Sequence, residues 1–288
     1  MEEKYIVADT NVWYYLAKKN NEKLNNLFRR IGKLCSIPLN LLEIAYKINE
    51  ENFERQKVVV NIILKKTKIY LPHSSIFLKQ SWGFKCDDEY DWKEGYKGIA
   101  RAKSYHDLID GYKDYLDLVI RKFNAPSARE LKKLFCGFFY SEIIKAVDSI
   151  VPGYGEQIKN KGQPPKLKDK KKLALFDDDN FIYTIILTTW DRLKNFEEEN
   201  GISIDARPSS DAFLTAESNL IIFAKAYAEY LRYLSQEGAK PEENDIGDIE
   251  CFLYLRNDNY ILATAEKRWI RIGKKVCPEK ILDIRDYI

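Results

Sequence analysis

Carboxylates are the reactive groups that this sequence places most suggestively. Asp9 and Glu266 each follow a short apolar run typical of a buried strand, and Glu43 lies within an apolar helical stretch. A carboxylate in apolar surroundings costs free energy unless it is exposed, paired with a base or bound to a cation. Because ligands gather at the carboxyl ends of parallel strands, acids at strand ends are candidates for a common site.

Two further acids, Asp245 and Asp248, stand three residues apart at the start of a predicted helix over 246–256. This spacing places both on one helix face. Taken singly, each acid of the sequence also has an ordinary role, as a helix cap, a partner of the helix dipole or a solvated surface group. The order and context of the acids therefore carry the chemical signal, and no single position does.

The composition excludes several other chemistries. The chain of 288 residues has two histidines, so a three-histidine zinc site is impossible. Its five cysteines form no C-x-x-C pair, which argues against a disulfide framework and favours a reducing cytoplasm. Lys and Arg total 47 against 44 Asp and Glu, a net charge of +3, so any basic surface for a nucleic acid must be local.

No signal peptide or membrane span is expected from the sequence. The amino-terminal residues are acidic, and the longest uncharged apolar stretch, 180–190, falls well short of the roughly 20 residues that cross a bilayer. We therefore expect a soluble, cytoplasmic protein with no membrane partner.

The predicted strands lie near both ends of the chain, and the middle is helical. Apolar runs predict strands at 5–8, 33–37, 69–71, 260–265 and 281–284. Helical patterns cover 10–17, 21–31, 41–51 with Asn40 as its cap, 53–65, 92–123, 128–151, 180–199, 211–235 and 246–256, and 152–172 reads as a loop. We expect an α/β fold, with a parallel sheet flanked by helices in one domain split over 1–73 and 208–288, and a mostly helical insertion over 74–207.

Two segments are locally basic. Residues 159–172 contain seven lysines against the single acid Asp169, which favours either phosphate contacts or a flexible solvated loop. Lys267 and Arg268 directly follow Glu266 and are candidate substrate-binding residues by their nearness in sequence. Trp269 is a candidate for stacking on a base, although apolar packing explains it equally well.

Three segments are informative when taken together: Ile-Val-Ala-Asp-Thr-Asn at 6–11, Asn-Asp-Ile-Gly-Asp at 244–248 and Ile-Leu-Ala-Thr-Ala-Glu-Lys-Arg-Trp at 261–269. In this order they resemble a PIN domain. The resemblance covers about 1–73 and 208–288 and implies a parallel sheet flanked by helices. Members of this family are mostly metal-dependent ribonucleases, and they include toxins of bacterial toxin–antitoxin pairs.

The resemblance implies a role for each acid. Asp9, Glu43 and Asp248 match the core metal-binding acids, and Asp245 replaces Asp248 if the register is shifted by one turn. Glu266 matches the fourth acid, where the family usually has Asp. These acids would be catalytic and would hold Mg²⁺ or Mn²⁺, which activates water and neutralises phosphate charge without any histidine.

The same resemblance implies the partners. Asn11 matches a small polar position that contacts metal or substrate, the substrate would be RNA or single-stranded DNA, and a homodimer or an antitoxin-like protein is a further expected partner. The main alternative is a catalytically inactive PIN-like module that binds RNA or protein. A haloacid-dehalogenase-type phosphatase needs a second Asp where Asn11 stands, and a flap-type nuclease of DNA has no specific motif here.

Overall fold

A computed structural model describes residues 3–18, 21–86, 91–110, 143–199, 203–205, 207–242 and 245–288. Within this part of the chain, five strands form one sheet: β1 Lys4–Ala8, β2 Gly32–Ser36, β3 Ile69–Tyr70, β4 Tyr260–Thr264 and β5 Ile281–Asp283. Their order is β3-β2-β1-β4-β5, and every neighbouring pair is parallel. The predicted α/β fold with a parallel sheet flanked by helices is confirmed.

The helices connect and cover these strands. Their bounds are α1 Thr10–Ala17, α2 Glu22–Ile31, α3 Pro38–Lys47, α4 Phe53–Lys66, α5 Ser74–Ser81, α6 Trp92–Arg101, α7 Tyr154–Lys161, α8 Lys170–Ala174, α9 Asp179–Glu199, α10 Ser210–Glu237, α11 Asp245–Glu250 and α12 Lys267–Val276. Helical turns also occur at 105–110 and 143–148, and a 3₁₀ segment, Cys251–Arg256, continues α11. The remainder of the predicted helices 92–123 and 128–151 lies outside the described residues.

The central strand β1 is buried on both faces. Ile6, Val7 and Ala8 are each 0 % exposed, as a strand covered by helices on either side requires. Ile6 and Ala8 belong to one apolar core and Val7 to the other, because successive side chains of a strand point to opposite faces. The sheet thus separates two cores and holds its central strand rigidly between them.

The range 74–207 contributes to both of these cores. Trp92 and Tyr96 from α6 pack in the core that contains Ile6, and Ile186 and Trp190 from α9 pack in the core that contains Val7. The described parts of the predicted insertion are mostly helical, and they pack together with residues of the sheet. In the described residues, no helix is long and apolar enough to cross a lipid bilayer.

Asn40 does not cap a helix over 41–51 as predicted. Helix α3 begins three residues earlier because Pro38 fits its first position, where a fixed φ and a missing N–H cost nothing, and it ends at Lys47. Asn40 is 0 % exposed: its Oδ1 accepts from the N–H of Ile37 at 3.0 Å, and its Nδ2 donates to the carbonyl of Ala8 at 3.2 Å. The buried amide therefore ties α3 to the end of β1.

The prediction of a loop over 152–172 is correct for residues 162–169 and wrong for the two helical parts of the range. Helix α7 lies within it, between Gly153 and Gly162, whose φ values of +82° and +71° mark the two helix ends. Helix α8 begins at Lys170, and the carboxylate of Asp169 caps it by accepting from two backbone N–H groups. The two glycines mark the ends of this helix and do not prevent it from forming. Helix α5, Ser74–Ser81, was not predicted as a separate element.

Candidate active site

Asp9 lies at the carboxyl end of β1 and caps α1. Its Oδ1 accepts from the N–H of Asn11 at 3.5 Å, and its Oδ2 accepts from the hydroxyl of Thr264 at 3.0 Å. The backbone N–H of Asp9 also donates to the carbonyl of Ala263 in the adjacent β4. Burial, reinforced by the charges of Glu43 and Glu266, raises the pKa of Asp9 to about 6. The side chain is therefore fixed in place, and its negative charge is unfavourable there.

Asp248 lies in α11, and its carboxylate is close enough to Asp9 to be affected by the charge of Asp9. The indole Nε1 of Trp269 donates to its Oδ2 at 2.7 Å. Burial raises the pKa of Asp248 well above its ordinary value, and the charges of Asp9, Glu266 and Glu43 raise it further, in that order. The fold thus brings acids that are more than 200 positions apart in the sequence close enough for their charges to act on Asp248.

Glu43 lies in α3 and is 8 % exposed. Its charge raises the pKa of both Asp9 and Asp248. Helix α3 follows β2, the neighbour of β1, so the helix carries Glu43 towards the edge where β1 ends. The side chains of Leu41 and Ile44 in the same helix are buried in the core, which fixes how α3 is rotated about its axis.

Glu266 occupies the cap position of α12, directly after β4. The Nδ2 of Asn11 donates to its Oε1 at 3.1 Å, and its own backbone N–H donates to the hydroxyl of Thr264 at 3.1 Å. The hydroxyl of Thr264 thus bridges Asp9 and Glu266. Burial raises the pKa of Glu266, and the charge of Arg268 opposes that rise.

Asp245 belongs to a different network. It is 0 % exposed; its Oδ1 is paired with the guanidinium of Arg268, and its Oδ2 accepts from the hydroxyl of Tyr230 and from the N–H of Glu242. Burial raises its pKa, and the hydrogen bond from Tyr230 is the largest opposing influence. Of the two aspartates that the sequence left open, Asp248 joins the carboxylate group and Asp245 has both oxygens occupied.

The candidate substrate-binding residues of α12 differ sharply. Lys267 is exposed beside Glu266. Arg268 is held by Asp245, and its guanidinium lies 4.9 Å from the ring centre of Trp269 and 5.9 Å from that of Tyr230. Trp269 is 2 % exposed, so its ring packs in the core and does not offer a face to a base.

The carboxylate group of Asp9, Glu43, Asp248 and Glu266 suits a hard cation in its chemistry. All four donors are carboxylate oxygens, which Mg²⁺ and Mn²⁺ prefer. Among the described residues, the charges that raise the pKa of Asp9 and Asp248 are those of other acids, so a bound cation would relieve them.

The geometry is not that of a closed metal site. In the described ranges, no three acidic, histidine or cysteine side chains converge closely enough to hold an ion. Three of the carboxylates are instead turned towards donors: Asp9 to Thr264, Asp248 to Trp269, and Glu266 to Asn11. Cation binding would require these side chains to reorient, which fits groups of like charge that avoid one another in the absence of metal.

Sequence reasoning missed Thr264 and Tyr230, and it missed the role of Trp269 as a hydrogen-bond donor. Thr264 bridges two acids, and the rings of Tyr230 and Trp269 hold Arg268 and Asp248. Cys251 is also close to the group: burial raises the pKa of its thiol, and the charges of Asp248 and Asp9 raise it further. The one sequence signal for Thr264 is its position at the end of a predicted strand, just before a candidate acid.

Comparison with known proteins identifies no relative. No protein-family model matches the chain, and searches of the curated proteins and of the solved structures find no significant match. The fold class stands on the parallel sheet itself. The resemblance to a PIN domain rests on the three sequence segments and stays a prediction.

Proposed function

We propose that this protein is a metal-dependent endoribonuclease that hydrolyses RNA phosphodiester bonds. Its carboxylate group would hold Mg²⁺ or Mn²⁺, and the resemblance to PIN domains suggests the reaction class. The observation that carries the proposal is the carboxylate group itself. Asp9 is buried at the carboxyl end of β1, where the charges of Glu43 and Glu266 raise its pKa, and the charges of Asp9, Glu266 and Glu43 raise the pKa of Asp248 in α11. Acids whose pKa values are raised by burial and by one another are typical of functional sites.

A bound cation would neutralise phosphate charge and make a water molecule more acidic at neutral pH. The residues around it have distinct tasks. The hydroxyl of Thr264 orients Asp9, the amide of Asn11 orients Glu266, and the indole of Trp269 orients Asp248. The exposed side chain of Lys267, next to Glu266 in the sequence, would contact a phosphate of the substrate. Asp245 and Arg268 act by holding the start of α12 against α10.

The direct test is cleavage of a defined RNA and of a single-stranded DNA of the same sequence by the purified full chain, with Mn²⁺, Mg²⁺ or EDTA. We expect cleavage of RNA with metal, none with EDTA, and at least a 100-fold loss in Asp9→Asn. Asp258→Asn is the matched control, because Asp258 lies just before the amino end of β4, opposite the acids, where its exposed carboxylate accepts from Lys280. Metal-dependent activity in Asp9→Asn equal to that of the wild type would refute the proposal.

An inactive RNA- or protein-binding module is the second candidate. The hydrogen bonds that occupy Asp9, Asp248 and Glu266 favour it, since they satisfy carboxylates without an ion. RNA binding without metal-dependent cleavage would support the module over the nuclease. A toxin-like role in the cytoplasm is a narrower form of the first proposal: expression would arrest growth, and Asp9→Asn would relieve the arrest.

A further inference from the structure

The lysines of residues 159–172, here called the lysine segment, form an exposed basic surface. All seven side chains are exposed: Lys159, Lys161, Lys166, Lys168, Lys170, Lys171 and Lys172. Among the described residues none of them forms an ion pair, in contrast to Lys275, which pairs with Asp177 and Glu229. The carboxylate of Asp169, the one acid of the segment, is occupied in capping α8. The segment therefore presents positive charge that the described protein does not neutralise.

The backbone of this segment is fixed to the long helix α10. The N–H of Leu167 donates to the carbonyl of Ser235 at 2.8 Å, and the hydroxyl of Tyr154 donates to the carbonyl of Ala239 at 2.6 Å. Leu173 is buried in the core beyond the segment. A flexible solvated loop, the alternative from the sequence, would have none of these attachments. The lysines therefore project from a backbone that is attached to the rest of the fold.

An open cavity of about 480 Å³ lies where the segment meets the end of α10. Its lining is polar, with Gln163 and Glu237, and it includes Lys166 and Lys240. Gly238 permits the close approach of the lysine segment to the end of α10. Its φ is +61°, and a Cβ there would lie 3.0 Å from the carbonyl oxygen of Pro164. A polar cavity with two ammonium groups suits a phosphate and its sugar better than an apolar ligand.

The cavity at the end of α10 is linked to α12, the helix that begins beside Glu266. The carboxyl end of α10 contacts the first turns of α12, because Tyr230 binds Asp245 beside Arg268, and Glu237 pairs with Arg271 at 3.5 Å. Arg271 is five residues beyond Glu266, about 7.5 Å along the helix axis. Glu237 also lines the cavity, so a single ion pair separates the cavity from the helix that begins at the carboxylate group.

We propose that the lysine segment, together with Lys240, binds the phosphate backbone of single-stranded RNA. That this RNA is also a substrate rests on the proposed function; the binding surface itself does not. A cluster of acids repels a polyanion, so a nuclease of this kind needs cations beside the site to hold its substrate. The exposed lysines of the segment, none of which forms an ion pair among the described residues, would supply such cations.

The test measures RNA binding in EDTA, where metal-dependent cleavage cannot interfere. A fluorescent 20-nucleotide RNA is titrated with wild type and with Lys168→Glu/Lys170→Glu/Lys171→Glu, and anisotropy is read at several salt concentrations. The matched control is Lys4→Glu/Lys65→Glu/Lys68→Glu, which makes the same charge change with exposed lysines near the amino ends of β1 and β3. All six lysines are exposed, and circular dichroism and thermal unfolding check that both variants fold.

We expect the lysine-segment variant to bind RNA at least 10-fold more weakly and the control variant to bind within about 2-fold of the wild type. The slope of log K against log salt should become shallower by about 2 in the lysine-segment variant, from three lost phosphate contacts on a single strand. An equal loss for single-stranded DNA supports contacts to the backbone. Unchanged RNA affinity, or equal losses in the two variants, overturns the proposal.

An anionic membrane is the other polyanion that exposed lysines attract. Vesicles of phosphatidylserine and phosphatidylcholine provide that arm: binding that depends on the lysine segment while RNA affinity does not would overturn the proposal. Failure of the proposed function is separable, because the cleavage assay with Asp9→Asn does not involve these lysines. Weakened RNA binding in EDTA would stand even if no cleavage were found with Mn²⁺.

Discussion

The indole N–H of Trp269 donates a 2.7 Å hydrogen bond to Oδ2 of Asp248. The ring that carries this donor is itself fixed, with its centre 5.5 Å from that of Tyr230 and with the guanidinium of Arg268 beside it. A buried aromatic residue of α12 therefore orients an acid of α11. In metal sites, hydrogen bonds to the ligands set their orientation and their affinity for the ion.

Trp269→Phe should weaken metal binding by about 10-fold, as loss of a hydrogen bond to a metal ligand commonly does. Phenylalanine keeps most of the apolar packing but removes the donor, so the pKa of Asp248 should rise further and its carboxylate should lose its orientation. Electron paramagnetic resonance of free Mn²⁺ measures the affinity. Trp190→Phe is the control, because it removes an indole donor to the carbonyl of Asp205 in another part of the fold. Equal Mn²⁺ affinity in the wild type and Trp269→Phe would contradict the positioning role.

Asp9→Asn should stabilise the metal-free protein at pH 7. The pKa of Asp9 in the folded protein, about 6, lies above its ordinary value of 3.8, so the folded state holds this proton more tightly than the unfolded chain does. The resulting stabilisation is complete below the unfolded pKa and is lost as the pH rises through about 6. At pH 7 the ionised Asp9 therefore lowers the free energy of unfolding by about 3 kcal/mol, and asparagine avoids that cost.

Urea unfolding in EDTA measures this effect at two pH values. The advantage of Asp9→Asn should be full at pH 7 and small at pH 4.5, where the wild-type carboxyl is already protonated. Addition of Mn²⁺ should reverse the order, because an ion that binds the folded state stabilises the wild type alone. A variant less stable than the wild type at pH 7 would show that burial does not destabilise the charge of Asp9.

Arg268 and Lys267 are neighbours in sequence, but their substitution by alanine should have different effects. Arg268→Ala leaves Asp245 buried without its cation. The loss of one partner of a buried ion pair lowers the free energy of unfolding by about 3–5 kcal/mol. Lys267→Ala removes an exposed side chain, so stability should change by less than about 0.5 kcal/mol while RNA affinity falls. Urea unfolding and RNA anisotropy separate the two effects. Wild-type stability in Arg268→Ala would contradict a structural role for the Asp245 ion pair.

The strands were predictable because a buried parallel strand is a short apolar run whatever surrounds it. The apolar run at 260–265 predicts β4 to within one residue. The choice between Asp245 and Asp248 was not predictable, since both stand on one face of the same helix and only Tyr230 and Arg268, brought in by packing, distinguish them. Local sequence does not reveal which distant donor a buried acid will meet.

Asn40 illustrates the same limit and offers a test of how the acidic edge is held. Its partners, Ala8 and Thr10, are about 30 residues away in the chain, so its local pattern predicted only a helix cap. Asn40→Ala leaves the carbonyl of Ala8 and the N–H of Ile37 without their buried partner. Each such loss costs about 1–3 kcal/mol.

We expect Asn40→Ala to lower the free energy of unfolding by about 3 kcal/mol and to weaken Mn²⁺ binding in the fraction that remains folded. Both effects have one cause, because Asn40 fixes α3, which carries Glu43, against the end of β1, which leads to Asp9. Asn52→Ala is the control, since its exposed amide bonds only to the carbonyl of Lys47 and to Asn49 at the surface. If Asn40→Ala lost stability but bound Mn²⁺ with wild-type affinity, the position of Glu43 would not depend on this amide.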